Sequence, residues 1–361
     1  RRWQGIPSIE VTPKGRVFVD FYTGQAAEKG GNFLMLCVSE DGGKTFRSGE
    51  LVVEHPDPTC RIYDPGLWIS PKGELWVTYN QTRGFNDCRN GVWVVICDNP
   101  DADELHWTKP RRIANGIMMN KPLVTSKGEW LFPCAIWRDE CGAFPTERHG
   151  LEAEQFPNVY VSTDQGEHIT LRGHGDVPNR SFDEHMLVEK KDGSLWMLVR
   201  TFDGIGECFS YDGGVTWTPG RKSHIEGPCS RFHIRRLRSG RLLMINHANF
   251  RERIDLENIM AQGNVKSWRG RTNLTAMLSE DDGATWPYAL LLDERNDAAY
   301  PDAKEGEDGY IYVTYDWERV RQREILMAKF TEQDVLNGTL SSPNGALRIL
   351  VNKALGQPDV E

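Results

Sequence analysis

The chain has 361 residues, with 43 Lys and Arg against 52 Asp and Glu, which gives a formal net charge of −9. This acidic balance argues against a general nucleic-acid binder, whose contact surface is usually basic. Hydrophobic residues make up 39% of the chain, enough for a packed core, and no apolar run approaches the length of a membrane span, so we expect no membrane partner. The 35 Gly and 12 Trp favour many short strands joined by tight turns.

Six segments share one pattern, in which an apolar run, a turn centred on Gly and a second alternating run follow one another. Alternation with a period of two on both sides of a Gly turn predicts a β-hairpin. In chain order the predicted hairpins are Ile9–Tyr22, Leu67–Asn80, Leu123–Ile136, Leu187–Arg200, Ile234–Asn246 and Asp302–Tyr315.

The hairpins recur about every 59 residues, which leaves room for two further strands in each unit, and four-stranded units repeated radially form a β-propeller. We therefore predict an all-β fold, a six-bladed propeller that makes residues 1–361 one domain. The segment at about 343–353 is expected to close the ring with the N-terminal blade. Helix is nearly absent from the prediction, and Thr331–Leu336 supports at most one helical turn.

A second motif, S-x-D-x-G-x-T-W/F, comes after a strand in several units. We predict a self-capped turn in which the Asp accepts turn N–H groups, the Gly adopts an unusual φ and the aromatic ring packs beneath. Such a turn links the third and fourth strands of a blade and has no catalytic role. The copies are Ser39–Phe46, Ser210–Trp217 and Ser279–Trp286, with a weaker one at Ser162–Ile169.

These turns on a six-bladed repeat, together with Gly5-Ile6-Pro7 near the start, resemble the sialidase superfamily, also called the BNR or Asp-box repeat proteins. The resemblance covers nearly the whole chain. It implies a glycoside hydrolase that acts on a terminal, acidic sugar of a glycan, at a site on the propeller axis. No H-E-x-x-H or EF-hand motif is present, so we expect neither a metal nor a cofactor.

Topology predicts where the site lies, because the first strand of a blade begins, and the second ends, at the same face. Residues at these ends should converge on the axis, and here they are charged or aromatic. Cations with carboxylates and aromatic rings suit an anionic sugar. Arg138 is also at one such strand end but has no assigned role. The residues assigned to substrate binding are Arg2, Gln4, Arg61, Asp64, Lys121, Arg200, Arg231, Arg271, Asp302, Tyr315 and Arg319.

The resemblance also implies catalytic roles for particular residues. Tyr300 matches the family's Tyr nucleophile, and Glu184 matches the Glu that assists it, one hairpin upstream of the second Arg at Arg200. Arg271 precedes an Asp-box turn, as the third Arg of the family does. A neutral phenol can attack an anomeric carbon flanked by a carboxylate without the repulsion that a carboxylate nucleophile would feel, and the Glu takes its proton.

Two positions depart from the family pattern. Gly5 stands where the first Arg of the triad is expected, so Arg2, Arg61 or Arg231 is predicted to take over. Glu28 is the only acid in the loop that should carry the acid/base Asp, which makes Glu28 the candidate for that role. These departures suggest a sialidase-like enzyme adapted to another acidic sugar, such as a uronic acid.

Two other functions remain open from the sequence. His185 or Tyr300 could move a proton in a uronate-directed polysaccharide lyase or an atypical glycosidase, with an arginine neutralising the uronate. A non-catalytic carbohydrate-binding propeller is the second alternative. The expected partner in every case is a small-molecule or glycan substrate, and the chain is expected to be a monomer or a small homo-oligomer.

Cysteine usage leaves the cellular location undecided. The protein is expected to be periplasmic or secreted if a leader was removed before Arg1, and cytoplasmic otherwise. Three cysteines in apolar runs, at positions 37, 97 and 134, are predicted to be small buried hydrophobes. Disulfides could form in an exported protein among the loop residues Cys60, Cys88 and Cys141.

Overall fold

The computed structural model describes residues 1–25, 27–84, 90–137, 150–249 and 270–356, and this part of the chain forms six four-stranded antiparallel sheets. Each sheet uses four consecutive strands, and the first strands of neighbouring sheets contact one another around an axis. The predicted all-β, six-bladed propeller is therefore confirmed. Cys88, Cys141 and Arg138 lie outside the described residues.

The strands of the first three blades are β1 (Trp3–Val11), β2 (Val17–Gly24), β3 (Phe33–Ser39), β4 (Arg47–Val53), β5 (Cys60–Ile69), β6 (Leu75–Arg83), β7 (Gly91–Cys97), β8 (Arg111–Asn115), β9 (Leu123–Val124), β10 (Trp130–Ala135), β11 (Pro157–Ser162) and β12 (Thr170–His174). The strands of the last three blades are β13 (Arg180–Glu189), β14 (Leu195–Thr201), β15 (Gly204–Ser210), β16 (Arg221–Lys222), β17 (His233–Arg236), β18 (Leu242–His247), β19 (Leu274–Ser279), β20 (Tyr288–Asp293), β21 (Ala298–Glu305), β22 (Tyr310–Trp317), β23 (Glu324–Thr331) and β24 (Ala346–Lys353).

Every predicted hairpin forms the first two strands of a blade. The six turn glycines adopt left-handed backbone angles, from φ +78° at Gly309 to φ +89° at Gly15. The N–H of Gly15 donates to the carbonyl of Thr12 at 2.9 Å, which closes the turn. An L-residue is strained at such an angle, so the glycines fix where each hairpin turns.

The Asp-box turns have the predicted hydrogen bonds. Asp41 accepts from the N–H of Thr45 at 2.9 Å and from its hydroxyl at 2.7 Å, and it also accepts from the Ser39 hydroxyl. These bonds, led by that of the Thr45 hydroxyl, hold the pKa of Asp41 below its ordinary value. In the weaker copy the His168 ring contacts Asp164 in place of the threonine hydroxyl. All four copies thus follow the third strand of a blade as structural turns.

Helix is confined to short elements in the described part of the chain. The α-helix α1 (Glu332–Asn337) begins at an N-cap, Thr331, which forms a reciprocal capping box with Asp334. It ends at Gly338, whose φ is +67°. A single 3-10 turn covers Glu152–Glu154, and no described helix is long and apolar enough to cross a membrane.

The core is divided among the blades. Among the described residues, six hydrophobic clusters each fill one interface between neighbouring blades, and a seventh lies at the axis. Between blades two and three, Trp68, Trp76 and Trp130 pack edge to face with ring centroids 4.9–5.7 Å apart. Cys37 and Cys134 are fully buried, as is Cys97, so the prediction for these three is confirmed.

The C-terminal segment does not exchange a strand with the first blade. It forms β24, which pairs with β23 as the outermost strand of the sixth blade. The ring closes where β1 packs against β21, and side-chain hydrogen bonds also connect the first and sixth blades. Gln4 Nε2 donates to the carbonyls of Arg323 and Asn352 at 2.7 and 3.2 Å. Gln4 therefore links blades one and six, a structural role instead of the predicted substrate contact.

Four of the first strands contain a β-bulge near the axis. The bulged residues have left-handed backbone angles, with φ +56° at Ile6, +43° at Asp64, +42° at Glu184 and +57° at Tyr300. Such angles cost non-glycine residues about 1–3 kcal/mol, and bulges next to active sites redirect side chains. In three of these bulges the next residue is proline. The bulges thus direct a tyrosine and two carboxylates toward one region of the axis.

Candidate active site

Tyr300 lies at the centre of a closed set of hydrogen bonds. Its hydroxyl donates to Glu184 Oε1 at 2.9 Å and accepts from Arg200 Nη1 at 2.7 Å. The same nitrogen of Arg200 donates to Glu184 Oε1 at 2.7 Å. All three side chains are buried, on β21, β13 and β14. The structure thus brings the two residues of the predicted nucleophile–base pair into direct contact.

The environment keeps the phenol of Tyr300 protonated. Burial raises the pKa of Tyr300 to about 12, although the neighbouring Arg200 opposes this shift. A phenol with this pKa is neutral at physiological pH and becomes a good nucleophile only as its proton leaves. Glu184 accepts the hydroxyl hydrogen, so it is placed to take that proton.

Two more arginines pack against the Tyr300 ring. The guanidinium carbon of Arg319 lies 4.0 Å from the ring centroid, and that of Arg271 lies 5.2 Å from it. Desolvation by burial lowers the pKa of Arg271, and the charges of Arg200 and Arg319 add to this effect. Three guanidiniums therefore meet at one phenol, an arrangement that suits a carboxylate ligand.

Arg319 occupies the space that Gly5 leaves open. A Cβ on residue 5 would lie 2.7–2.8 Å from Cδ, Cγ and Nε of Arg319. Arg319 Nε donates to Asp316 Oδ2 at 2.8 Å, and the same oxygen accepts from the N–H of Ile6 at 2.7 Å. Arg319, from the sixth blade, therefore lies against Gly5 of the first blade, the position where an arginine was expected. Arg2, one predicted replacement, contacts Gln25 at the surface instead.

Glu28 joins the site as a partner of two cations. Its carboxylate lies 3.3 Å from Arg319 Nη1 and 3.7 Å from Arg61 Nη1. The guanidinium of Arg61 also stacks 3.8 Å from the centroid of the Tyr63 ring. Arg61 is thus a fourth buried cation near the site, and its substrate-binding role stays a prediction. The contacts of Glu28 favour ion pairing over the predicted acid/base role.

One wall of the site is aromatic. Trp137 and Phe182 pack edge to face with centroids 5.0 Å apart, and the guanidinium of Arg200 lies 5.0 Å from the Phe182 ring. Both rings line a small cavity beside Glu184. Phe182 had no predicted role, although its position two residues before Glu184 at a strand start was a usable signal. Asp316, which lies at a strand end predicted to face the axis, holds Arg319.

Lys121, predicted to bind substrate, is instead buried deeper on the axis. Its Nζ donates to the carbonyls of Ile9 and Leu67, both at 2.6 Å. It also forms ion pairs with Asp302 at 2.9 Å and with Glu10 at 3.2 Å. These partners use the ammonium fully, so Lys121 and Asp302 have a structural role that ties together blades one, two, three and six.

Arg231 belongs to the same buried group and does not replace the missing arginine. It donates to the carbonyl of Met119 at 2.7 Å and to Asn120 Oδ1 at 2.8 Å. Burial alone would raise the pKa of Asp302, but Lys121 and then His233 hold it below its ordinary value. Arg231 is therefore bound to the protein itself, and none of these contacts supports the predicted role as a substrate ligand.

Two further predicted residues lie apart from Tyr300. His185 Nε2 lies 2.7 Å from the carbonyl of Asn158, and burial lowers its pKa to about 4, so the ring is neutral. The hydroxyl of Tyr315 donates to Asp293 at 3.0 Å in the core between blades five and six. These contacts do not favour the roles predicted for His185 and Tyr315, including proton transfer by His185 in a lyase. No group of three or more metal-ligating side chains occurs among the residues that the structure describes.

Comparison with known proteins points to one family. A family model described as a BNR repeat-like domain matches residues 61–313. A sialidase of Bacteroides fragilis is 22% identical over 294 residues, which cover 73% of this chain and 50% of the relative. The chain therefore spans about half the length of that curated relative.

Solved structures share the fold at low identity. The Hadza microbial sialidase Hz136 superposes with a TM-score of 0.65 at 17% identity, covering 87% of this chain and 63% of that one. The leech intramolecular trans-sialidase, solved with 2,7-anhydro-Neu5Ac, gives a TM-score of 0.66 at 12% identity, covering 93% of this chain and 69% of that one. These likenesses establish the propeller architecture.

Proposed function

This chain belongs to the BNR repeat-like family within the sialidase superfamily, and from that premise we propose that it is a retaining exo-glycosidase that removes a terminal acidic sugar from a glycan. One observation carries the proposal. The Tyr300 hydroxyl contacts both Glu184 and Arg200, while two further guanidiniums pack on the tyrosine ring. A nucleophile, its base and an anion site are thereby combined.

The position of Arg200 favours a particular class of acidic sugar. Because Arg200 contacts the nucleophilic oxygen itself, a carboxylate that it binds would lie beside the atom that Tyr300 attacks. In a 2-keto acid sugar the carboxylate is attached to the anomeric carbon, so these two groups are adjacent. In a uronic acid the carboxylate is on the far side of the ring oxygen. We therefore assign the substrate class to nonulosonic acids such as N-acetylneuraminic acid.

The first chemical step follows from these contacts. The Tyr300 oxygen forms a bond to the anomeric carbon while the glycosidic C–O bond breaks, the leaving oxygen takes up a proton, and the phenolic proton passes to Glu184. In the second step water gives up a proton as its oxygen attacks the anomeric carbon, the bond to Tyr300 breaks, and Glu184 returns the proton to the phenolate. Two displacements on the same carbon retain the anomeric configuration. The arginines hold the sugar carboxylate through both steps.

Hydrolysis of two fluorogenic glycosides tests this proposal. The probes are the 4-methylumbelliferyl α-ketoside of N-acetylneuraminic acid and 4-methylumbelliferyl β-glucuronide. We expect the first to be hydrolysed, and Tyr300→Phe to lower its kcat/KM by about 10³-fold or more. Tyr315→Phe, which removes a hydroxyl from the same blade but outside the site, should keep the activity. Unchanged turnover in Tyr300→Phe, or hydrolysis of the glucuronide alone, would contradict the proposal.

A further inference from the structure

The loop between β16 and β17 contacts two of the three arginines around Tyr300. In this loop the sulfur of Cys229 accepts from Arg200 Nε at 3.3 Å, and the carbonyl of the same residue accepts from Arg271 Nη2 at 3.3 Å. Arg200 belongs to β14 of the fourth blade, whereas Arg271 precedes β19 of the fifth. One residue therefore contacts two guanidiniums that come from different blades.

The contact with sulfur holds a second nitrogen of Arg200. Its Nη1 is bound to Glu184 and to the Tyr300 hydroxyl, and a planar guanidinium held at that nitrogen alone could pivot about it. Holding Nε as well removes this freedom, so the group keeps one plane and one direction. A side chain that is already held in the geometry of binding favours affinity, because less order has to be imposed when the ligand arrives.

The loop that carries Cys229 is itself anchored to the neighbouring blades. The Cys229 thiol donates to the hydroxyl of Ser181 at 3.3 Å, and Ser181 is fully buried on β13. Two residues after Cys229, Arg231 donates to the carbonyl of Met119 at 2.7 Å, next to the third blade. Cys229 is 4% exposed, so it is buried with the arginines that it contacts. These anchors make the sulfur and the carbonyl fixed points for the two guanidiniums.

We propose that Cys229 is a positioning residue that sets the direction and spacing of Arg200 and Arg271 for the sugar carboxylate, an inference that rests on the proposed glycosidase function. It acts through the two guanidiniums and not on the reacting atoms. The sulfur is suited to this task by its reach, because the 3.3 Å contact is longer than the usual N–H···O distance of about 2.9 Å. A serine hydroxyl at this position could accept well only if the guanidinium moved closer.

Competitive inhibition by N-acetylneuraminic acid and by its methyl ester tests the inference, with hydrolysis of the 4-methylumbelliferyl ketoside as the readout. The ester lacks the charge that the arginines recognise. In Cys229→Ala we expect the inhibition constant of the acid to rise about 5- to 10-fold, and that of the ester to change less than about 2-fold. Cys229→Ser should lie between the wild-type protein and Cys229→Ala, because its hydroxyl still accepts but reaches less far.

Cys208→Ala is the matched control. Cys208 is also a buried cysteine of the fourth blade, but it lies in the core between blades three and four, with its sulfur 3.8 Å from that of Met197. Both alanine variants leave a small cavity, so urea unfolding should show a similar loss of stability in the two. Only Cys229→Ala should change the inhibition constant of the acid.

The outcomes separate this inference from the proposed function. If the inhibition constant of the acid is unchanged in Cys229→Ala, the positioning role is overturned and the glycosidase stands. The same holds if the constants of the acid and the ester rise by the same factor, because a merely structural role would affect both. If the wild-type chain does not hydrolyse the ketoside, the proposed function is overturned, and the positioning role with it.

Discussion

Two clusters of buried charge share the propeller axis, and they differ in where their polar atoms point. We call Tyr300, Glu184, Arg200, Arg271 and Arg319 the site cluster, and Glu10, Lys121, Arg231, His233 and Asp302 the axial cluster. In the axial cluster the cations donate to backbone carbonyls, as Lys121 does to Ile9 and Leu67. In the site cluster two guanidiniums face an aromatic ring and a third contacts its hydroxyl, although Arg271 also donates to the carbonyl of Cys229 at 3.3 Å.

This contrast separates a binding site from a structural one better than composition does. Both clusters are rich in Arg or Lys and in carboxylates, and both are almost fully buried. A cation such as Lys121, which is shared between two carbonyls and two carboxylates, is committed to the fold, because moving it would take a partner from all four groups. A cation stacked on a ring can still donate to a ligand. We therefore expect substitutions in the two clusters to affect different properties.

The largest effect is expected from Glu184→Gln in the site cluster. The amide cannot take the phenolic proton, so we expect kcat to fall about 10³-fold. The change also removes the charge that is paired with the buried Arg200, so the midpoint of urea unfolding should fall as well. Glu189→Gln, at the other end of the same strand, is the control and should retain activity. An active Glu184→Gln enzyme would remove the distinction between the two clusters.

Lys121→Met should cause the largest loss of stability. It leaves Asp302 and Glu10 without their shared cation, and breaking a buried ion pair costs about 3–5 kcal/mol. Lys304→Met is the matched control. Lys304 is partly exposed, and Glu10, its buried partner, keeps Lys121 after the change, so the loss of stability should be smaller. Urea unfolding measures both. A Lys121→Met protein of normal stability with a raised KM would instead favour the substrate role suggested by the sequence.

Arg319→Met should weaken substrate binding and should also lower stability, because the buried Asp316 loses the cation that lies 2.8 Å from it. Loss of one charged hydrogen bond to the sugar carboxylate predicts a rise in KM of about 10- to 100-fold. Gly5→Ala should act in the same direction, because its Cβ displaces the Arg319 side chain. The two effects should not add in the double variant, since both remove the same contact. Additive effects on KM would mean that residue 5 acts independently of Arg319.

The smallest expected effect is a change in the pH dependence of stability in Asp20→Asn. Burial raises the pKa of Asp20 to about 8, although the Ser8 hydroxyl donates to it. The folded state therefore binds this proton more tightly than the unfolded state, so the contribution is present at low pH and is lost as pH rises toward 8. In Asp20→Asn the free energy of unfolding should therefore fall less steeply with pH, between about pH 5 and 8, than it does in the wild-type protein. An unchanged slope would contradict a raised pKa.

The fold could be predicted because its signals are local. A glycine turn between two alternating runs specifies a hairpin without knowledge of the rest of the chain, and six of them specify the blades. The Asp-box turns are equally local, since Asp41 bonds within its own turn. The C-terminal segment was harder to place, because pairing of β24 with β23 depends on strand order and not on a local pattern.

The site could be predicted only in part, because topology brings residues to the axis without fixing their depth. Tyr300 and Glu184 were placed correctly beside Arg200, whereas Lys121 and Arg231 lie deeper and are bound to backbone. The missing information is the β-bulge, which shifts a strand by one residue. The prolines after Ile6, Asp64 and Tyr300 are visible in the sequence, but the left-handed backbone angles of these residues appear only in the structure.

Covalent trapping at Tyr300 tests the central claim most directly. The protein would be incubated with a 3-fluoro derivative of N-acetylneuraminyl fluoride, whose fluorine slows the second step, and then digested for mass spectrometry. The account predicts one sugar added to the peptide that contains Tyr300, and no adduct in Tyr300→Phe. An adduct on Glu184 or Asp64, or turnover of the probe without any adduct at Tyr300, would contradict the claim.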